Sequence, residues 1–385
     1  MLARNSLASL WLVAVLGSGS AQAKPFANRE LDAAVHAAMA RTGAKGVAIA
    51  LIDRGKVVSV RTYGVRNAAW DPLSPDTIMY GASLTKAVFG YLVTQLAAEK
   101  KLALDRPIAS MLPQPLPSYG NIDAYGAWGD LANDPRWKQV TPRHALNHST
   151  GFANFSSLEP DGKLRFHFDP GSRYAYSGEG ISLLQFGVEK GLGLSVEDEL
   201  QRRFFRPLGM TRTSLVWQGS FGTNLADGWD ESGKSERHDD RSRVRAAGSM
   251  DTTIADFAQM AAAMVRGYGL PAAWRAEFAR GTQVITGKTQ FPTMQNAAPA
   301  GERTTAKAAL GVIAFNGPQG PGWLKGGHNE VTANTLVCLE RGRRCVVILG
   351  NDVRIETAFP ALVRAAIGPT GVPYSWEYGF ERGDS

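Results

Sequence analysis

The sequence has few cysteines and lacks any long apolar run, and both features limit what the chain can be. Its 385 residues include two cysteines, too few for a disulfide framework. No stretch reaches the roughly 20 consecutive apolar residues that a membrane-spanning helix needs. Hydrophobic residues make up 44% and charged residues 20% of the chain, as in folded globular proteins. We therefore expect a globular protein with its own core that is not integral to a membrane.

Basic residues are in excess but are not arranged for nucleic-acid binding. The formal net charge is +7, yet lysine and arginine are scattered and do not alternate with aromatic residues. We therefore expect no nucleic-acid partner. The positive charge suits either attraction to anionic cell-wall polymers and carboxylate substrates or simple solubility. The oligomeric state is left open.

The first 23 residues resemble an export signal. Arg4 provides a positive start, Leu10 to Leu16 a short apolar run, and Ala21-Gln22-Ala23 a small-residue cleavage site. This pattern predicts a signal peptide over residues 1–23 and a periplasmic or secreted protein over residues 24–385. An uncleaved N-terminal anchor is the alternative.

The periodicity of the chain predicts one sheet built from both termini. Apolar spacing indicates helices over Glu30 to Arg41, from about Ser83 to Leu96, and over Phe359 to Ile367. Alternation and turn residues indicate strands at Gly46 to Ile52, Val57 to Tyr63, Leu310 to Phe315, Val331 to Leu339 and Cys345 to Leu349. We expect an α/β (α+β) fold: an antiparallel sheet flanked by helices, with a mainly helical insertion over roughly residues 104–300 and an irregular surface loop from Ser118 to Trp137.

The two cysteines flank a predicted turn. If Arg341-Gly342 forms a two-residue loop, Cys338 faces Cys345 across neighbouring strands. An oxidising compartment would permit a disulfide, and a pair of buried thiols is the alternative.

Ser83-Leu84-Thr85-Lys86 is the first segment with possible chemistry. Ser83 is the only serine in the chain with a lysine three residues later, and at a helix start the two side chains share a face. A lysine with a lowered pKa can activate a serine hydroxyl, and the first backbone N–H groups of the helix favour a negative charge nearby. Taken alone, the pattern also fits a helix-capping serine beside a solvated lysine.

Two later segments complete a candidate site. Tyr176-Ser177-Gly178 places a tyrosine in a loop, where nearby cations could suit it to proton transfer. Lys325-Gly326-Gly327-His328 places a positive charge and two glycines before the strand predicted near Val331, so that a substrate can approach closely. A satisfied buried tyrosine and a glycine turn are the structural alternatives.

The order of these three segments resembles that of serine β-lactamases and penicillin-binding proteins. The similarity is strongest to the branch with class C β-lactamases, DD-carboxypeptidases, D-aminopeptidases and related esterases, and it extends from about Leu31 to Gly368. Further segments similar to this branch are Leu146 to Phe152, Pro207 to Thr211 and Ala246 to Met250.

The resemblance implies a serine hydrolase that acts through an acyl-serine intermediate on amide or ester bonds, without cofactor or metal. Ser83 would be the nucleophile, and Lys86 and Tyr176 would share the proton transfers. Lys325, Gly326, Gly327 and His328 would bind a small-molecule or peptide substrate, with Lys325 anchoring a carboxylate. The oxyanion hole would use the backbone N–H groups of Ser83 and His328. Gly178 stands where β-lactamases often carry an asparagine, which puts efficient β-lactam hydrolysis in doubt.

The sequence also admits other interpretations. An α/β-hydrolase would need Gly-x-Ser-x-Gly, and Gly81-Ala82-Ser83-Leu84-Thr85 lacks the second glycine. His144 and His148 have a spacing that suits zinc, but Ala145 replaces the glutamate of His-Glu-x-x-His motifs, so two structural histidines fit better. Within the resemblance, a carboxylesterase or a sensor or cell-wall binding module that acylates without turnover are the alternatives.

Overall fold

A large antiparallel sheet organises the chain. The structure is a computed structural model that describes residues 28–290 and 304–379, so the leader predicted over residues 1–23 lies outside the described residues. The helices are α1 (Asn28–Thr42), α2 (Leu84–Ala98), α3 (Pro142–Leu146), α4 (Gly178–Phe186), α5 (Val196–Leu200), α6 (Ile254–Arg266), α7 (Ala272–Phe278), α8 (Phe359–Ile367) and α9 (Tyr374–Tyr378). The strands are β1 (Gly46–Asp53), β2 (Lys56–Gly64), β3 (Met79–Tyr80), β4 (Asn121–Ile122), β5 (Gly126–Ala127), β6 (Gly228–Trp229), β7 (Ser235–Glu236), β8 (Asp251–Thr252), β9 (Gln283–Val284), β10 (Lys307–Ala308), β11 (Ile313–Gly317), β12 (Gly320–His328), β13 (Ala333–Leu339) and β14 (Arg344–Gly350).

The sheet joins strands from both ends of the chain. Its order is β2-β1-β14-β13-β12-β11-β10-β9, and neighbouring strands are antiparallel. Strand β1 therefore lies between its hairpin partner β2 and the distant β14, with Ile49 opposite Ile348. The predicted fold class is confirmed, because helices flank an antiparallel sheet made by the two terminal segments.

The sheet has a hydrophobic core on each face. Alternate residues of β1 point to opposite sides, so Val47, Ile49 and Leu51 share one apolar cluster with α1 and α8. Ala48 and Ile52 belong to the other cluster, which contains α2 and α6. Because α2 is buried on this second side, its N-terminal end is held firmly against the sheet.

Two local expectations are wrong. The segment from Ser118 to Trp137 is not a plain surface loop, because it contains short 3-10 helices and the β4–β5 hairpin around the fully buried Trp128. Lys325 to His328 does not lead into the strand near Val331 but lies within β12, which pairs with β13 along Gly322 to His328. Glycine has a low intrinsic strand preference, and here pairing with a neighbouring strand overrides it.

The turn between β13 and β14 brings the two cysteines together. Arg343 N donates to Glu340 O at 3.2 Å, so Arg341-Gly342 forms the two-residue turn. Cys338 faces Cys345, and the two sulfurs form a disulfide with an S–S distance of 2.03 Å. Of the alternatives that the sequence leaves open, the structure has the disulfide.

Within residues 28–290 and 304–379, the structure contains no helix with the length and apolarity needed to cross a membrane.

Candidate active site

Ser83 stands at the entrance to α2, immediately before its first residue. The preceding residue, Ala82, has a φ of 46°, in the left-handed region that residues with a side chain rarely occupy. The Thr85 hydroxyl donates to Ala82 O at 2.6 Å and accepts from Met250 N at 3.2 Å. These contacts hold the bend that turns the Ser83 side chain into the cleft. Strained backbone of this kind persists where surrounding contacts fix it, commonly at functional sites.

Lys86 lies one turn into the helix beneath Ser83. Its Nζ is hydrogen-bonded to Ser83 Oγ at 2.9 Å and also donates to the carbonyl oxygen of Ala247. The residue is only 2% exposed. Burial, followed by the charge of Lys325, holds the pKa of Lys86 well below its usual value. An amine in this environment loses its proton readily and can then accept one from the serine hydroxyl.

Tyr176 reaches the same oxygen from the loop before α4. Its hydroxyl donates to Ser83 Oγ at 2.8 Å. His148 stacks on the tyrosine ring with 4.3 Å between centroids, and the Nζ atoms of Lys86 and Lys325 lie 4.9 and 5.2 Å from the ring centre. Burial raises the pKa of Tyr176 above its ordinary value, although the hydrogen bond to Ser83 lowers it. Tyr176 is therefore a neutral phenol near neutral pH, which suits proton donation and relay better than a phenolate base.

The glycines of β12 allow two close approaches between parts of the chain. A Cβ at Gly327 would lie 2.9 Å from Leu84 N and 3.1 Å from Ser83 N, so only glycine lets β12 approach the start of α2. A Cβ at Gly326 would lie 2.3 Å from Glu377 Oε1. The approach at Gly327 places the backbone that leads into His328 beside the N–H group of Ser83.

Lys325 and His328 flank these glycines. Lys325 Nζ donates to Gly326 O at 2.8 Å, and burial lowers the pKa of Lys325 while the charge of Glu377 raises it. His328 Nδ1 is hydrogen-bonded to Glu356 Oε2 at 2.8 Å. Burial lowers the pKa of His328, but the hydrogen bond and charge of Glu356 outweigh burial and raise it overall.

All seven predicted site residues line one cleft of about 1430 Å³. Ser83, Lys86 and Tyr176 meet at the serine oxygen, although 93 residues separate Ser83 from Tyr176. The predicted residues that share the cleft wall are Lys325, Gly326, Gly327 and His328. This arrangement can activate a hydroxyl and stabilise a negative charge that develops beside it.

The position of the missing asparagine is filled from another loop. A Cβ at Gly178 would lie 2.5 Å from the ring of Phe155, and Gly178 N donates to Asn154 Oδ1 at 2.9 Å. Phe155 therefore occupies the space in which a side chain at residue 178 would stand. Residue 178 itself offers no amide to the cleft, whereas Asn154, which accepts from its N–H group, lines the cleft.

Glu377 and Gln290 are cleft residues that the sequence did not indicate. Both line the cleft, and Gln290 Nε2 donates to Glu377 Oε2 at 3.0 Å. No motif marks either residue, because Glu377 reaches the cleft only through the packing of α9 against β12.

His144 and His148 have different hydrogen-bond partners and different structural roles. His144 Nδ1 accepts from Thr141 N at 3.3 Å and caps α3. His148 Nδ1 accepts from Ser177 N at 3.2 Å, and burial together with the charges of Lys86 and Lys325 holds its pKa well below normal. In the part of the chain that the structure describes, no group of three or more His, Cys, Asp or Glu side chains is placed to hold a metal ion.

Known proteins resemble this chain in sequence and in fold. A protein-family model described as Beta-lactamase matches residues 31–364. Esterase EstB of Burkholderia gladioli is 25% identical over 197 residues, which are 44% of this chain and 47% of that protein. The chain spans about half the length of the curated relatives it matches, 47% and 50% for two others.

Two solved structures share the fold at low sequence identity. The penicillin-binding protein homologue from Pyrococcus abyssi has a TM-score of 0.68 at 18% identity, over 90% of this chain and 78% of that one. The D-alanine carboxypeptidase AmpC from Burkholderia cenocepacia has a TM-score of 0.68 at 17% identity, over 88% of this chain and 98% of that one.

Proposed function

The chain belongs to the β-lactamase family, and from that membership we propose that it is a serine hydrolase that cleaves ester or amide bonds through an acyl intermediate on Ser83. One observation carries the proposal: Ser83 Oγ is hydrogen-bonded to both Lys86 Nζ, at 2.9 Å, and Tyr176 OH, at 2.8 Å. A serine hydroxyl alone is a poor nucleophile, and a basic group and a proton relay at hydrogen-bond distance are what it requires.

In the proposed acylation step, neutral Lys86 takes the proton of Ser83 as the serine oxygen attacks the substrate carbonyl carbon. The resulting oxyanion lies against the backbone N–H groups of Ser83 and His328, each worth about 10²- to 10³-fold in rate. The tetrahedral intermediate collapses when the ester C–O or amide C–N bond breaks, and Tyr176 relays the proton to the leaving group. Water then attacks the acyl-serine, and the same two residues return the proton to Ser83.

Tyr176→Phe should lower the acylation rate by about 10² to 10³-fold, because the leaving group loses its proton donor. The loss should be larger for anilides than for nitrophenyl esters, because an amine leaving group depends on protonation and nitrophenolate does not. Stopped-flow release of nitroaniline and nitrophenol measures both. Equal losses for the two leaving groups would remove the relay role from Tyr176, and Tyr174→Phe in the same loop is the matched control.

Ester hydrolysis is the activity that the cleft favours. Gly178 provides no amide for the amide group of a β-lactam, and Phe155 fills the space beside it. The resemblance to an esterase over nearly half of the chain supports the same preference. Amide substrates with a small acyl group are the second candidate, since Lys86 and Tyr176 supply the proton transfers that an amide needs.

We expect short-chain nitrophenyl esters to be hydrolysed with kcat/KM at least about 10²-fold above that for a chromogenic cephalosporin, because each lost hydrogen bond to an otherwise buried group costs on the order of 1–3 kcal/mol. A panel with D-alanyl peptides and D-amino acid amides, each run beside Ser83→Ala, measures this order. A cephalosporin hydrolysed faster than the esters would contradict it. A burst of one nitrophenol per chain without turnover would instead identify a protein that acylates and stops.

We also propose that the enzyme acts outside the cytoplasm. The leader pattern over residues 1–23 supports export, and the Cys338–Cys345 disulfide suits an oxidising compartment.

A further inference from the structure

Glu377 is a buried carboxylate beside the only lysine expected to anchor a substrate carboxylate. Helix α9 brings it against β12, where its Oε1 occupies the space that a side chain at Gly326 would need. Gln290 holds Glu377 and the residue before it: its Nε2 donates to Glu377 Oε2 at 3.0 Å, and its backbone N donates to Trp376 O at 2.9 Å. Glu377 is 3% exposed and lines the cleft together with Ser83.

Glu377 cancels the charge of Lys325. Burial lowers the pKa of Lys325 while Glu377 raises it, and burial raises the pKa of Glu377 while Lys325 lowers it. When the pair holds a single proton, on the amine or on the carboxyl group, it has no net charge. Lys325 Nζ also already donates to Gly326 O. A substrate carboxylate at this place therefore gains little from the lysine.

One wall of the cleft is acidic. Trp229 N donates to Val331 O at 3.1 Å, which brings two loops together, and the cleft-lining side chains on these loops include Asp230, Glu231 and Glu330. The Ser232 hydroxyl and Lys234 N donate to Asp230, which lowers its pKa. Acidic side chains thus outnumber basic ones in the cleft lining of a chain whose net charge is +7; the basic side chains there are Lys86, Arg245, Lys325 and His328. An excess of one sign of charge in a cleft favours ligands of the opposite sign.

We propose that the cleft selects esters or amides that carry a positively charged nitrogen over those that carry a carboxylate, and that Glu377 is the residue that sets this preference. The inference rests on the proposed hydrolysis at Ser83. In place of a carboxylate anchor at Lys325, Glu377 cancels the charge of that lysine, and the acidic wall attracts the cation.

Three nitrophenyl esters of equal acyl length test the proposal, with chains ending in trimethylammonium, in its neutral isostere tert-butyl, or in carboxylate. We expect kcat/KM for the cationic ester to exceed that for the anionic ester by at least about 10-fold at low salt, and the ratio to shrink as salt screens the field. Equal rates, or a faster anionic ester, would overturn the proposal without any variant being needed.

Glu377→Gln assigns the preference to one residue. The cation-to-anion ratio should fall at least about 5-fold in this variant, whereas Glu236→Gln, the same change on exposed β7 outside the cleft, should leave it unaltered. An unchanged ratio in Glu377→Gln would overturn the role of Glu377. If the wild-type protein hydrolyses the tert-butyl ester and Ser83→Ala does not, the proposed function holds whatever the cation-to-anion ratio is. Absence of all three activities together with no labelling of Ser83 would overturn both.

Discussion

Ser83→Ala should reduce kcat for every substrate in the ester panel by at least about 10⁴-fold, the scale seen when a serine nucleophile is removed from an enzyme of this kind. The physical reason is that Lys86 Nζ and the Tyr176 hydroxyl both form hydrogen bonds to the Ser83 oxygen. Without it, the amine and the phenol have no group to activate. Residual hydrolysis should come only from binding and from the oxyanion hole.

A matched serine in the same cleft controls for the loss of a hydroxyl. Ser182 lines the cleft from α4, and Ser182→Ala should keep kcat within about threefold, the scale of a substitution that removes no catalytic contact. Thermal unfolding of both variants verifies that the fold is intact. If Ser83→Ala retained more than a few per cent of the wild-type rate with a normal unfolding temperature, another nucleophile would have to do the chemistry.

Lys86→Met should lower the acylation rate by about 10² to 10⁴-fold, the usual contribution of a positioned base. Methionine approximates the length of the lysine stem and carries no charge, so the core around α2 keeps its packing. The variant separates the loss of the amine from the loss of volume. Single-turnover ester hydrolysis measures the effect, and a rate within about threefold of wild type would remove Lys86 from the mechanism.

The same variant should change how stability depends on pH. The folded state holds the pKa of Lys86 below its unfolded value, so the unfolded chain binds more protons in the range between the two. The destabilisation from Lys86 is complete below the lowered pKa and is relieved progressively as pH rises from that value to the unfolded pKa. Lys86→Met removes this contribution, whereas Lys325, whose pKa is lowered in the same direction, stays in both proteins.

Urea unfolding over a pH series should therefore show the Met variant gaining most, relative to wild type, at the acid end. The gain should shrink or reverse toward alkaline pH, because the Met variant leaves Ala247 O without the donor that Lys86 supplies. A stability difference that is constant with pH would show that burial does not shift the proton affinity of Lys86.

Part of the site could be predicted from the sequence because the residues concerned are close together in it. Ser83 and Lys86 are three residues apart on one helix, so their meeting follows from helical geometry alone. The Arg341-Gly342 turn likewise fixes Cys338 opposite Cys345. The sheet class followed from strand patterns at both termini, because such patterns report which faces are buried.

Contacts between segments that are far apart in the sequence could not be predicted from local patterns. The position of Tyr176 beside Ser83 depends on how its loop packs, and only the resemblance to a known family suggested it. Gly326 and Gly327 line the cleft, and nothing local in the sequence indicated that they also make room for Glu377 and for the start of α2. Glu377 could not have been predicted, since a short C-terminal helix carries it into the cleft and nothing local identifies it.

Covalent labelling tests the assignment of Ser83 most directly. The protein is incubated with a fluorophosphonate, digested, and its peptides are mapped by mass spectrometry, with Ser83→Ala treated in parallel. The account predicts one adduct per chain, on the peptide that contains Ser83, and none in the variant. An adduct on a different residue, or an unlabelled wild-type protein that still hydrolyses esters, would contradict it.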